Sequence, residues 1–322
     1  MSRPRRFYRD VDGILLLDKP LGLSSNAALQ QARVIFGARK AGHAGSLDPL
    51  ASGLLPICFG QATKVCGRLL DASKDYLVDV QLGARTESLD CETEVVERAP
   101  IPALDDAKID AVLASFRGEQ EQVPPMHSAL KFQGKRLYEL ARRGESVERP
   151  ARRIVIHRIE RRGLHEGRLE FEVQCSKGTY IRTLAADIAG RLGTLGYLVG
   201  LRRLSVDPFA DYPMHSLEEL GTARARGMPA LDALLLGADI AFGDLQPVQL
   251  GEAATRMLLL GQAVGANSPV PEGAARLRAY GSDGRFLGLV EGRPDGRVQP
   301  VRLFVTPDGN DAPEPPDLLD PS

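Results

Sequence analysis

A repeated change of hydrophobic period constrains this chain more than any other feature. Tyr76, Val78, Val80 and Leu82 recur at every second position, and so do Leu169, Phe171, Val173 and Cys175. A period of two puts these side chains on one face and marks half-buried strands. Elsewhere the period becomes 3.6. Ala28, Leu29, Ala32, Ile35 and Phe36 share one helix face, as do Ile181, Leu184, Ala185, Ile188, Ala189 and Leu192. Ser24 or Ser25 can cap the first of these helices, and Gly37 and Gly193 stop them. Short apolar runs at 14–17, 54–59 and 154–156 add strands. Ile109, Val112, Leu113 and Phe116 mark a helix begun near Asp105 or Asp106, and Ala62, Val65, Cys66, Leu69 and Leu70 mark another. Strands and helices mix without the regular beat of a doubly wound sheet, which implies an α+β class.

The 322 residues correspond to about two domains. Residues 1–10 read as a basic, mobile arm. After Phe209 the chain changes character: 216–248 reads as a linker of short helices. A helix after 251 and short strands near 276–280, 286–291 and 299–305, separated by glycines, make a small β module over 249–306. Residues 307–322 carry five acids and no base, and read as a disordered acidic tail.

Several classes are disfavoured. No apolar run reaches the ~18 residues of a membrane helix, and the run at 14–17 is too short for a secretory signal. The cysteines at 58, 66, 91 and 175 form no C-x-x-C pair, so buried, reduced thiols and a cytoplasmic setting are expected. There is no phosphate-cradling glycine loop, no H-E-x-x-H and no G-x-S-x-G, and only five histidines. Neither a metal nor a nucleotide cofactor is expected. Net charge is -1, yet Lys131–Arg168 holds twelve bases against five acids. That surplus of seven leaves -8 for the rest of the chain, a segregation that suits a local polyanion site.

The remaining candidate for chemistry is Asp48, in GHAGSLDPLASG. Gly42, Gly45 and Gly53 allow tight bends and close backbone approach. Leu47 and Leu50 flank the carboxylate with apolar surface, so it needs a cationic partner. On spacing alone such an Asp caps a turn more often than it catalyses, and His43 in the same loop would be a structural hydrogen-bonder.

Six stretches, in order over about 13–205, resemble the bacterial TruB-type tRNA pseudouridine synthases. They are GILLLDKPLGLSS from Gly13, GHAGSLDPLASGLLP from Gly42, Lys74-Asp75-Tyr76, SALKFQGKRLYELARRG within 124–152, SKGTYIRTL from Ser176, and Leu201-Arg202-Arg203. The resemblance implies a mixed, largely antiparallel sheet with flanking helices over 11–215, an RNA-contacting insertion at about 124–152, and a PUA-like C-terminal module. It implies isomerisation of uridine-55 in the tRNA T loop to pseudouridine, in a monomer that needs no cofactor, metal or membrane. Asp48 maps on the family's essential Asp. Attack at C1′ or C6, or removal of the C2′ proton through a glycal, all remain open. Arg182 becomes the cation that holds Asp48 ionised and oriented. Tyr76 becomes the aromatic that stacks on the flipped base and moves the C5 proton. Tyr180 and Leu201 line the uracil pocket, His43 fills the space left by flipped bases, and Lys19 and Pro20 shape the floor. Lys131, Lys135, Arg136, Arg142 and Arg143 hold phosphates beside the target. His127 departs from the family, which commonly has Tyr there. A non-catalytic RNA-binding chaperone, or a synthase for another RNA, is the alternative. A glycoside hydrolase would need a second acid in the loop, and none is there.

Overall fold

The computed structural model describes residues 8–126, 131–132, 135–137, 143, 145, 147–270 and 276–305. The described chain divides into two compact units between Leu236 and Gly237.

The first unit contains strands β1 (Gly13–Lys19), β2 (Ala41–His43), β3 (Ala51–Phe59), β4 (Lys74–Leu82), β5 (Ala84–Thr86), β6 (Val95–Arg98), β7 (Gly118–Gln122), β8 (Lys131–Phe132), β9 (Lys135–Arg136), β10 (Arg152–His165), β11 (Arg168–Cys175) and β12 (Gly196–Val206). Its helices are α1 (Ser25–Phe36), α2 (Cys66–Asp71), α3 (Asp106–Ala114), α4 (Ile181–Arg191), α5 (Leu217–Arg226) and α6 (Met228–Asp232). Eight of the described strands form one sheet in the order β1-β3-β12-β4-β11-β10-β7, with β2 paired to β3. Every pairing is antiparallel except β12 with β3. The mixed, largely antiparallel sheet and the α+β class are thus as expected.

The strongest local signals hold. Ser24 caps α1 by accepting from the Ala27 N–H, and Gly37 ends it at a left-handed φ of 60°. Strand β4 alternates buried and half-buried residues throughout. Its inward residues pack with those of β11, α3 and α4 in one aliphatic cluster, including Val78, Phe171, Ile109 and Leu184. A second cluster joins β1 and β3 to α1, with Leu15, Leu55, Ile57 and Phe36 at zero exposure.

Four expectations need correction. The glycine-rich stretch around Asp48, which carries no hydrophobic period, is not all loop: it contains β2 and the start of β3, because Ala51 and Gly53 belong to the central ladder. The arm does not run free to residue 10. The Arg9 N–H donates to the Gly37 carbonyl at 2.7 Å, and its guanidinium pairs with Asp232; residues 1–7 lie outside the described chain. The first half of the supposed linker belongs to the first unit. Leu220 of α5 and Leu231 of α6 are fully buried in the α1 cluster. Their apolar faces need a partner, and the sheet with α1 supplies it. Of the four free thiols, Cys58 and Cys175 are buried, Cys66 is half-buried and Cys91 is exposed, against the expectation of burial for all.

The second unit is a five-stranded sheet, β13 (Gln246–Gln249), β15 (Arg276–Tyr280), β16 (Phe286–Gly292), β17 (Arg297–Leu303) and β14 (Val264–Gly265) in that order, with helix α7 (Glu252–Leu259). It has its own core around Leu258, Leu277, Val290 and Val298. The tail lies outside the described residues.

Candidate active site

The Asp48 turn is held from several sides. The Ser25 hydroxyl accepts from the Leu47 N–H at 2.7 Å and donates to the Leu47 carbonyl at 2.9 Å. The Gly22 N–H donates to the Pro49 carbonyl at 2.8 Å, and the Ala51 N–H to that of Asp48 at 3.0 Å. Arg203 Nη2 donates to the Gly45 carbonyl at 3.0 Å. Gly45 has a φ of 84°, a left-handed conformation that glycine adopts without strain. A seven-residue turn fixed at both shoulders presents its central side chain in one place.

The central strands bring the other residues to it. Leu201 of β12 pairs with Ala51, just past the turn, and Arg203 pairs with Tyr76 of β4. Arg182 stands in the first turn of α4. Together they line a cavity of about 470 Å³ with Asp48, Leu70, Lys74 and Tyr180, within the size range of small-ligand sites. One Asp48 oxygen lies 3.2 Å from Arg182 Nη2. The Asp48 side chain is 46% exposed and that of Arg182 only 8%, so the carboxylate faces the cavity from a cation anchored behind it.

That anchor escaped the sequence reading. Arg182 Nη1 lies 3.0 Å from an oxygen of Asp90, whose side chain is 1% exposed, and donates to the Ser88 carbonyl at 3.3 Å. The second Asp90 oxygen accepts from the Ser88 hydroxyl and from the Glu92 N–H. Leu89 beside it has φ of 61°, a region that costs a non-glycine residue roughly 1–2 kcal/mol. The polar run Thr86–Thr93 looks like a surface loop, and no spacing in it points to Arg182. Gln122 was likewise missed. Its side-chain amide donates to the Tyr180 carbonyl at 3.1 Å and accepts from the Tyr180 N–H at 2.8 Å, fixing that aromatic's backbone.

Not every expected residue lies in the cavity wall. Lys19 is wholly buried, and its ammonium donates to the carbonyls of Pro20 and Leu23 at 2.9 and 2.7 Å. It braces the turn whose Gly22 N–H supports Pro49, and Pro20 in that turn is exposed. His43 sits on β2 opposite Ile57 and is not among the lining residues. Burial, helped by the Arg203 charge, pushes its imidazole below the usual range, and its Nδ1 is buried without a hydrogen-bond partner. Lys74, a lining residue, donates to the carbonyls of Leu69, Leu70 and Ala72 at the end of α2. Burial, then the Arg203 charge, pushes it down to about 8. Burial raises the Tyr76 phenol, and Arg203 opposes that shift.

Among the basic candidates, β8 and β9 pair Lys131 with Arg136 and Phe132 with Lys135. The side chains of Lys131, Lys135 and Arg136, and the whole of Arg142 and His127, lie outside the described residues. Arg143 is exposed. The rest of the basic stretch is largely matched by acids. Arg158 meets Asp75 and Glu160, Arg161 meets Asp106 and Asp110, Arg162 meets Glu172 and Arg168 meets Asp79. No cluster of metal-ligating side chains occurs among the described residues, and none of their helices is long and apolar enough to cross a membrane.

Comparison with known proteins gives matches along nearly the whole chain. Residues 33–181 match the N-terminal domain model of the TruB family pseudouridylate synthases. Residues 182–242 match the tRNA pseudouridylate synthase B C-terminal domain, and 247–304 the pseudouridine synthase II TruB C-terminal model. The tRNA pseudouridine synthase B of Chromohalobacter salexigens is 47% identical over 309 residues, covering 95% of this chain and 98% of the relative. That of Nitrosococcus oceani is 47% identical over 96% of this chain and its own whole length. Among solved structures, a Cbf5–Nop10–Gar1 complex aligns with a TM-score of 0.68 at 22% identity, over 95% of this chain and 92% of that one. An H/ACA RNP bound to a substrate RNA containing 2′-deoxyuridine aligns at 0.69 and 21%, over 96% and 92%. At such identities these two structures speak for the fold alone.

Proposed function

Because this chain belongs to the TruB family of pseudouridylate synthases, we propose that it converts uridine-55 in the T loop of tRNA to pseudouridine at the Asp48 cavity. It is an RNA pseudouridine synthase, an isomerase, and its relatives' shared name makes tRNA the substrate class. The observation that carries the site is the Asp48–Arg182 contact of 3.2 Å at the cavity wall.

The reaction breaks the N1–C1′ bond of uridine, turns the uracil and joins C5 to C1′. One proton leaves C5 and one arrives at N1, so the atoms balance without redox or phosphate chemistry. Asp48 is the group that triggers detachment of the base. Arg182 keeps it charged and aimed, and Tyr76 receives the C5 proton. Tyr180 and Leu201 hold the uracil, while His43 takes the space of the flipped bases. Extrusion costs a few kcal/mol of unstacking, which these contacts offset. Lys19 and Pro20 keep the floor in shape. Lys131, Lys135, Arg136, Arg142 and Arg143 hold phosphates of the T stem-loop. The catalytic domain spans 11–236 in this reading, with the C-terminal module beyond it, and the chain acts as a cytoplasmic monomer without cofactor.

The test is tritium release from [5-³H]uridine in a T-arm RNA, with product mapping at position 55. We expect release by the wild type and none by Asp48→Asn. No release from either protein, with tight RNA binding kept, would favour the chaperone alternative. Release mapped to another position would identify a different target.

A further inference from the structure

Two buried arginines line the cavity, and their charges are met differently. Arg182 faces the carboxylates of Asp48 and Asp90. Arg203 is 1% exposed, and its Nε donates to the Leu54 carbonyl at 2.6 Å and its Nη2 to the Gly45 carbonyl at 3.0 Å. Among the described residues no carboxylate lies within ion-pair distance of it. Burying a guanidinium without a counter-charge costs several kcal/mol. Tying the Asp48 turn to β12 needs donors only, and the same turn is tied elsewhere by the neutral Ser25 hydroxyl and Gly22 N–H. The tie therefore accounts for the donors of Arg203 and leaves its charge unexplained.

The residue opposite that charge is Tyr76, its partner across the β4–β12 ladder and a fellow lining residue. We propose that Arg203 is a positioning residue for Tyr76, holding its oxygen toward uracil C5 and stabilising the phenolate that takes the proton. The proposal rests on the isomerase reading above. In the step concerned, C5 already carries C1′ and still bears its proton. Tyr76 oxygen takes that proton, the C5–H pair becomes the C5=C6 bond, the former C6=N1 pair moves to N1, and N1 is protonated. Tyr76 can accept this proton only as its phenolate, formed by giving the phenol's own proton to solvent, and burial disfavours that anion unless a cation faces it. The groups acting on it are Arg203 from β12, Cys175 from β11 and Asp48 from the turn. Burial pushes the Cys175 thiol up to about 12, so it stays neutral. Asp48 raises the phenol, and Arg203 is the cation that opposes it.

The experiment compares single-turnover rates on T-arm RNA carrying [5-¹H]- or [5-²H]uridine for wild type, Arg203→Gln and Arg203→Lys, with RNA binding and thermal midpoint measured for each. Gln can still donate to a carbonyl but is neutral, whereas Lys restores the charge. We expect Arg203→Gln to slow the reaction about 100-fold, the scale of one proton-transfer assistant. Its C5 isotope effect should rise above the wild-type value and its RNA affinity should stay within about threefold. Arg203→Lys should recover to within about tenfold, with the wild-type isotope effect. A wild-type rate in the Gln variant overturns the proposal. So do Gln and Lys variants slowed equally with an unchanged isotope effect, which would make Arg203 a tie alone. Should the Gln variant not fold, the Lys variant decides, since a folded Lys protein slowed by about 100-fold or more also overturns it. A wild type that forms no pseudouridine overturns the isomerase reading itself, whatever the Arg203 variants do.

Discussion

At the residue scale the site is one guanidinium fork with one arm for each of two carboxylates. Arg182 reaches the half-exposed Asp48 on one side and the buried Asp90 on the other. Asp90 is the buried end of this contact and Asp48 the end that faces solvent. Asp48→Asn should abolish turnover while RNA binding changes by no more than a few fold; a matching loss of binding would make Asp48 structural. Arg182→Lys keeps the charge but cannot span both acids. We expect its single-turnover rate to fall by at least about 100-fold, the scale of a lost preorganised electrostatic contact, with little change in affinity. Asp90→Asn leaves the buried guanidinium with half its counter-charge. Truncating one partner of such a pair typically costs about 3–5 kcal/mol. The variant should therefore lose both stability in urea melts and rate, whereas Asp48→Asn, half in solvent, should lose rate alone.

At the scale of elements, the parallel contact between β3 and β12 sets the depth of the Asp48 turn. Gly53 sits opposite Arg203 with φ of 97°, and a Cβ there would lie 2.2 Å from the Arg203 carbonyl oxygen. Gly53→Ala would force the two strands apart and strain its own backbone. It should destabilise the protein by more than about 1 kcal/mol and lower the rate together with the melting temperature. The Lys74 ammonium closes the carbonyl end of α2 from within the core. Its folded-state value of about 8 lies below the 10.5 of a free lysine, so between these values the unfolded chain binds more protons than the folded one. Stability then rises with pH across that window. Thermal midpoints taken from pH 8 to 9.5 should climb in the wild type and stay flatter in Lys74→Met. Elements with an unbroken period were legible in the sequence, as β4, β11 and both caps of α1 attest. Strand β10 was seen only over 154–156, because bulges at Ile156/Arg158 and Arg161/Gly163 reset its alternation. Strand β7 (GEQEQ) was missed because a polar edge strand carries no apolar period.

At the scale of the molecule, charge counted along the chain overstates the charge available to RNA. Of the twelve bases in Lys131–Arg168, Arg158, Arg161, Arg162 and Arg168 are met by acids on β4, β11 or α3. Arg143 is exposed. Arg143→Ala should weaken T-arm binding across RNA sequences, lower the salt slope by about one, and leave the bound-state rate unchanged; filter binding between low and moderate salt checks it. The two units have separate cores, so Val290→Ala, at a fully buried site of the second, should leave the Asp48 cavity intact. It should lower stability by about 1–3 kcal/mol without changing the bound-state rate. The sequence by itself determined the α+β class, the strands and helices of strong period, and the order of the motifs that carry Asp48, Tyr76 and Arg182, because these are properties of contiguous residues. Tertiary structure alone decided that Asp90 anchors Arg182, that Gln122 fixes Tyr180, that the Lys19 ammonium braces the Pro20–Leu23 turn, and that the charge of Arg203 faces Tyr76. Each of these depends on which strands become neighbours and on what burial leaves beside a charge, and no local spacing encodes either.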